Sequence, residues 1–193
     1  MVDHAVFDNA PADLVIPALA PLYERVAQPM AWSLFRLAIG GMLVVEGWPK
    51  IIAPFAQVGF VEGIGMHPGW FWSPFLAGLQ FFGGMFIVAG LLTRPVALAN
   101  AVMLAITLWF HHAHPYGDAF LTQAGIDALK NNGQELFTPA AVARLADGGS
   151  RFLEQVQVKA ELASLFWTGG AFLFAAFGGG YLSLDRRLFR KSF

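Results

Sequence analysis

Four stretches of the chain stay apolar for about the twenty residues that a helix needs to cross a bilayer: residues 30–52, 71–92, 95–113 and 160–181. Pro29, Pro74 and Pro95 stand at or near span starts, where a missing N–H costs little. Trp70, Trp72, Trp109 and Tyr181 stand near span ends, as an aromatic belt requires. The pattern predicts an all-α integral membrane four-helix bundle. Residues 114–159 are too long for a plain connection. There "DALKNNGQELFTPAAVARLADGGSRFLEQV" alternates helical patches with Asn and Gly breakers. Short surface helices are expected, the last running into span four.

The polar positions inside the spans carry more information than the apolar ones. The first span, "LFRLAIGGMLVVEGWPKII", holds Arg36, Glu46 and Lys50, although each ionisable group costs about 2.5–3.5 kcal/mol in hydrocarbon. At about 100° per residue the three fall within an arc of roughly 80°. Gly40 and Gly47 lie beside that arc and permit close helix approach, so this face is expected to look into the bundle. In span three Asn100, Thr107, His111 and His114 share an arc of roughly 60°, and His112 points away from them. Span four carries Glu161, Ser164 and Thr168 on one side, and span two places Gln80 beside Gly83 and Gly84.

Four spans put both termini on one side. The termini and the short second loop hold Arg25, Arg94, Arg186, Arg187, Arg190 and Lys191, whereas residues 53–70 have no Lys or Arg. The positive-inside rule then gives an N-in, C-in topology and makes the 114–159 loop extracytoplasmic. Residues 1–29 are expected to be an extramembrane arm, with Leu14 to Val26 lying along the membrane surface. Residues 30–187 form the membrane domain and residues 188–193 a basic cytoplasmic tail. The arm lacks the basic start and apolar core of a secretory signal. In this orientation Glu46, Lys50, His111, His114 and Glu161 all fall toward the outer leaflet. Arg36 stands alone toward the cytoplasmic side, with Asp185 or a backbone carbonyl as its expected partner.

Composition agrees with a membrane solvent. Only 13% of residues are charged and 56% are hydrophobic, against about a quarter charged in a soluble domain. A net charge of -1 gives no footprint for nucleic acid. The chain has no cysteine, so no disulfide, iron–sulfur or c-type haem redox centre is expected within it. The segment "FGGGYLSLD" has neither a preceding strand nor a following GK[ST], so it reads as a helix end and turn rather than a phosphate loop.

Arg36, Gly40, Gly47 and Lys50 follow an Arg-x3-Gly-x6-Gly-x2-Lys pattern. After them come Gln80, Gly83, Gly84, Gly90, Thr93 and Arg94, then Glu161, then "GGGYLSLDRR". In order and spacing these motifs resemble the DoxX family of four-helix membrane proteins, over roughly residues 31–113 and 158–187. Gln80 stands where that family usually has Glu, and residues 115–157 exceed its usual connection. The resemblance implies kinship with the small subunit of thiosulfate:quinone oxidoreductase and with membrane oxidoreductase complexes that have soluble redox partners. The family is also similar to non-enzymatic assembly factors.

The functional expectation is therefore a bacterial inner-membrane subunit that binds quinone or a similar lipophilic ligand within an oxidoreductase complex, surrounded by lipid and supplied with electrons by another subunit or a soluble partner. Reduction of a quinone needs proton donors within hydrogen-bond reach of two carbonyl oxygens. Lys50, Glu161 and His111 are the candidate catalytic residues, with Glu46, Gln80, Thr107, His114 and Ser164 around the ligand. The alternative is a non-catalytic scaffold or accessory subunit, in which these charges only set helix register. A third reading is metal or small-solute handling, in which His111, His114 and Glu161 supply the ligands. Glu62 and His67, in the first loop, are expected to be solvated.

Overall fold

The computed structural model describes residues 15–116, 122–145 and 147–189, and within them every regular element is helical. Helix α1 spans Pro17–Ile52. It is followed by α2 (Val58–Gly63), α3 (Gly69–Ala89), α4 (Thr93–Ala113), α5 (Gln123–Leu136), α6 (Pro139–Leu145), α7 (Ser150–Phe177) and α8 (Leu184–Leu188). Helices α1, α3, α4 and α7 are long and apolar enough to cross a membrane, and at most 33% of the apolar window of any one is buried inside the chain. The remaining apolar surface of these helices is suited to lipid or another apolar neighbour rather than to water.

The start of α1 departs from expectation. Residues 17–29, read as an arm, are helical and run without a break into the first span. A 3₁₀ turn over Pro17–Leu19 leads to Ala20–Leu22, a π-helical turn over Tyr23–Ala27 and regular helix over Gln28–Ile52. Pro17 supplies the start because its ring presets the helical φ. Residues 1–14 of the arm, 117–121 of the long loop and 190–193 of the tail lie outside the described residues.

The chain forms two compact units, residues 1–101 with 170–193, and residues 102–169, so α4 and α7 contribute to both. In the first unit α1 and α3 meet backbone to backbone. A Cβ added at Gly40 would lie 2.8 Å from the Gly84 carbonyl oxygen, one at Gly84 would lie 2.8 Å from that of Gly40, and one at Gly47 would lie 2.8 Å from the Phe81 nitrogen. The small-residue face expected for span one is thus the surface that receives α3. Gly170 of α7 admits Ile39 in the same way, a Cβ there falling 2.8 Å from Ile39 Cγ1. Trp32 and Phe35 pack on Phe174 with ring centroids 4.9 and 5.3 Å apart. Ile39, Leu43, Ala77, Ile87, Ala97 and Phe174 form the buried core.

Helix ends in this unit are closed by specific groups. Gly90, at φ 71°, ends α3, its N–H bonding to Ile87 O while the Leu91 N–H bonds to Phe86 O. Only glycine adopts this left-handed conformation without penalty. Ser73 Oγ donates to Pro54 O at 2.5 Å, and Glu62 Oε1 accepts from the Gly69 N–H at 2.9 Å. Glu62 is therefore a cap for α3 and half-buried, not a solvated loop residue; His67 is exposed. The carboxylate goes to the N-terminus of α3 because the first N–H groups of a helix have no partner of their own.

In the second unit the helical patches of the long loop become α5 and α6, and α7 begins well before the apolar stretch at residue 160. Thr138 Oγ1 accepts from the Ala141 N–H at 3.4 Å at the start of α6. Gly148, at φ 80°, turns the chain against α5, where an added Cβ would come 2.6 Å from Ile126 Cγ2. Asp147 caps α7, accepting from the Arg151 N–H at 2.9 Å and the Gly149 N–H at 3.0 Å. These N–H groups, that of Arg151 foremost, hold its carboxyl below the usual carboxylate range.

Candidate functional site

In the first unit, the structure joins two of the expected site residues. Lys50 Nζ on α1 donates to Gln80 Oε1 on α3 at 2.7 Å. Gln80 is buried and Lys50 half-buried. An ammonium has three donors, and Lys50 makes no other hydrogen bond among the described residues. Close passage of α1 over α3 at Gly47 is what allows the lysine to reach across. Glu46, one turn earlier, is exposed and does not enter this contact, so the expected inward placement of Glu46 is corrected.

Arg36 belongs to a different arrangement at another level of the same unit. Its Nη1 donates to Gly179 O at 2.6 Å and its Nη2 to Leu182 O at 3.2 Å. Trp32 Nε1 donates to Gly178 O at 3.0 Å. The carbonyls that follow the end of α7 carry partial negative charge, which suits a buried guanidinium. Gly90 and Gly179 flank that guanidinium, and a Cβ at Gly179 would lie 3.2 Å from Nη1. Of the two partners expected for Arg36, the structure selects carbonyls. Asp185 is fully buried and serves α4 instead, accepting from Leu92 N at 2.7 Å, Thr93 N at 2.9 Å and Thr93 Oγ1 at 2.9 Å. A cation thus closes the C-terminal end of one helix and an anion the N-terminal end of another. Arg36 Nε and Asn100 Oδ1 are buried with no partner among the described residues.

In the second unit the polar residues gather differently from the expectation. Glu161 Oε1 accepts from Gln157 Nε2 at 2.7 Å and lies 3.5 Å from His112 Nδ1. The histidine that faces Glu161 is therefore His112, the one that helical phasing turned away, and not His111. Phasing on one helix says which residues share a face; it does not say which neighbour that face meets. His111 contributes its carbonyl, which accepts from Gln157 Nε2 at 2.5 Å, and its ring lies 5.7 Å from that of Tyr116. His114 stacks on Phe110 at 4.4 Å, with Nδ1 3.2 Å from Phe110 O.

The hydroxyls are occupied locally. Thr107 Oγ1 donates to Met103 O at 3.2 Å and Thr168 Oγ1 to Ser164 O at 2.6 Å, each one turn back on its own helix. Ser164 is buried. Gln157 is the residue that sequence reasoning missed. It also accepts from the Tyr116 N–H at 3.1 Å, and so ties the end of α4, the segment three residues beyond it and α7 together. A neutral amide outside the apolar stretch gives no signal except its i, i+4 spacing to Glu161. Among the described residues no three His, Asp or Glu side chains are grouped to hold a metal ion. The ligand set His111, His114 and Glu161 is not assembled among the described residues: Glu161 faces His112, and His114 stacks on Phe110.

Four membrane-length apolar helices, with close glycine contacts between α1 and α3 and with Arg36 and Asp185 bonded to backbone groups, define an integral membrane protein. The DoxX family model matches residues 31–113. The chain is similar to the inner membrane protein YqjF of Escherichia coli (strain K12), 26% identical over 156 residues that make up 81% of this chain and 90% of that relative. No solved structure matches it.

Proposed function

We propose that this inner-membrane DoxX-family protein binds quinone, or a lipophilic carbonyl compound like it, as a subunit of an oxidoreductase complex whose electrons come from a partner. The observation that carries this reading is the Lys50–Gln80 hydrogen bond of 2.7 Å. It holds a half-buried ammonium where α1 crosses α3, with donors left over for a ligand oxygen. A lysine so placed stabilises the negative charge that develops on a quinone oxygen and supplies a proton to it. Gln80 is neutral and positions the ammonium without neutralising it. His112 and Glu161 form another acid–base pair, in the second unit. The N-in, C-in orientation is part of the proposal and rests on Arg94, Arg186 and Arg187.

Photolabelling with an azido-ubiquinone in lipid nanodiscs tests the reading. Label is expected in the peptides carrying Lys50 and Gln80, displaced by a short-chain quinone. Replacing Lys50→Met is expected to weaken labelling by about tenfold, the effect of one hydrogen bond to a charged group. Equal labelling of both proteins would overturn the site. Failure to label either would overturn the quinone reading in favour of an accessory subunit. That second reading is favoured by one specific observation: Arg36 bonds to backbone carbonyls, and Asp185 to two backbone N–H groups and the Thr93 hydroxyl, contacts that hold segments of the fold together.

A further inference from the structure

Beyond that reading, the second unit holds a pocket of about 510 Å³ in the segment between the last two spans. Arg151, Gln155 and Lys159 line it from one face of α7, at successive i+4 positions. Arg144 lines it from the last turn of α6. The turn through Gly148 and Gly149, both at positive φ, brings these two helices together. Phe152 adds an exposed apolar ring to the lining.

The charge of this pocket is unbalanced. Three cations face one acid, Asp147, and that carboxylate already accepts two backbone N–H groups at the start of α7. Among the described residues the side chains of Arg144 and Lys159 make no hydrogen bond or ion pair, and that of Arg151 acts on Asp147 through its charge without a hydrogen bond. Like charges gathered in a concavity focus a positive potential there. Guanidinium forks match the oxygens of a phosphoryl group, two bonds at a time. Depth adds to this. Lys159 directly precedes the apolar stretch that begins at residue 160, and Arg151 stands about 12 Å farther out along the helix at 1.5 Å per residue. The pocket therefore runs from the edge of the hydrocarbon outward, through the level at which lipid phosphates lie.

We propose that Arg144, Arg151 and Lys159 form a binding site for a phosphoryl anion at the membrane surface. The pocket is large enough for a phosphate with a glycerol-sized substituent. A lipid headgroup and a free phosphate or phosphorylated solute share this chemistry, and the test separates them. Titrations of the full chain in neutral nanodiscs would use dihexanoyl-phosphatidylglycerol, dihexanoyl-phosphatidylcholine and inorganic phosphate as probes. The phosphatidylglycerol is expected to bind, and binding to weaken by at least about tenfold in Arg144→Gln/Arg151→Gln, with Arg187→Gln unchanged. Phosphatidylglycerol binding without phosphate competition assigns the site to lipid; equal competition by phosphate assigns it to a soluble anion. Either result supports the site. Equal affinity in the double variant, or equal binding of zwitterionic phosphatidylcholine, overturns it. A measurement on the unaltered chain keeps the question open to refutation if that variant misfolds. Raising salt from about 0.1 to about 1 M shortens the screening length from about 10 to about 3 Å and must weaken binding strongly; salt-independent binding overturns the proposal. Because the quinone label reads α1 and α3, each proposal fails or stands without the other.

Discussion

The two units treat ionisable groups in opposite ways. In the first, Arg36 and Asp185 are buried and each bonds to two or more groups of distant chain segments. In the second, Arg144, Arg151, Lys159 and His112 are exposed, and the last makes one contact of 3.5 Å. Charge costs most where water is absent, so a buried charge needs partners close at hand. Those partners are loop carbonyls after α7 for Arg36 and the first N–H groups and the Thr93 hydroxyl at the start of α4 for Asp185, which makes both charges architectural. Charges at the membrane surface cost little to leave unpaired, and so remain available to a ligand. Lys50 lies between these cases, half-buried with a single partner.

Removing an architectural charge should have the largest effect. Asp185→Ala leaves the Leu92 and Thr93 N–H groups and nearby Arg36 uncompensated, and is expected to destabilise by about 3–5 kcal/mol, measured as thermal unfolding in detergent. A smaller loss by far would mean that the carboxylate is dispensable to the first unit. Next in size is a contrast between adjacent glycines. Gly40→Ala drives a methyl into Gly84 and Val88 and should cost about 1–3 kcal/mol. Gly41→Ala meets nothing within 4 Å and should be neutral or stabilise by up to about 1 kcal/mol. Equal effects at both positions would show that α1 and α3 do not touch through Gly40.

The second unit should respond more gently. Gln157→Leu removes the amide that links His111, Tyr116 and Glu161, with an expected cost of about 1 kcal/mol. The sharper readout is faster hydrogen exchange at the Tyr116 N–H. Smallest is the response of Asp147 to acid. Its carboxyl titrates below its unfolded value, so its contribution is present above the ordinary carboxylate range and is lost as pH falls through the depressed folded value. Fraying of the first turn of α7, followed by exchange at the Arg151 N–H, should set in below about pH 4. Asp147→Asn should remove that pH dependence while keeping the cap.

Much of the membrane domain was legible in the sequence because its signals are local. Apolar length located the four spans, and the glycines beside Arg36 and Lys50 marked a packing face, which receives α3. The "FGGGYLSLD" segment ends α7, with Gly178 and Gly180 both at φ 78°. The candidate site was legible only in part. Helical phasing marks Lys50 and Gln80 on separate spans and packing makes them partners, whereas phasing turns His112 away from the polar face of its span and gives no signal for Gln157. The start of α1 departs from the expected extramembrane arm because Pro17 and Pro21 stand in the first turns of the helix, where a missing N–H costs little, and Pro29 continues into the span.

By itself, then, the sequence determined that the chain is helical, that it has four membrane-length spans and which residues share a face on each. Helical periodicity comes from the backbone of each segment and needs no neighbour. Tertiary structure decided every partnership: Arg36 with the carbonyls after α7, Asp185 with the start of α4, Lys50 with Gln80 and Glu161 with His112. Such choices depend on which unpaired helix ends and which opposing side chains come within about 3 Å, and only the packing of separate segments sets that distance.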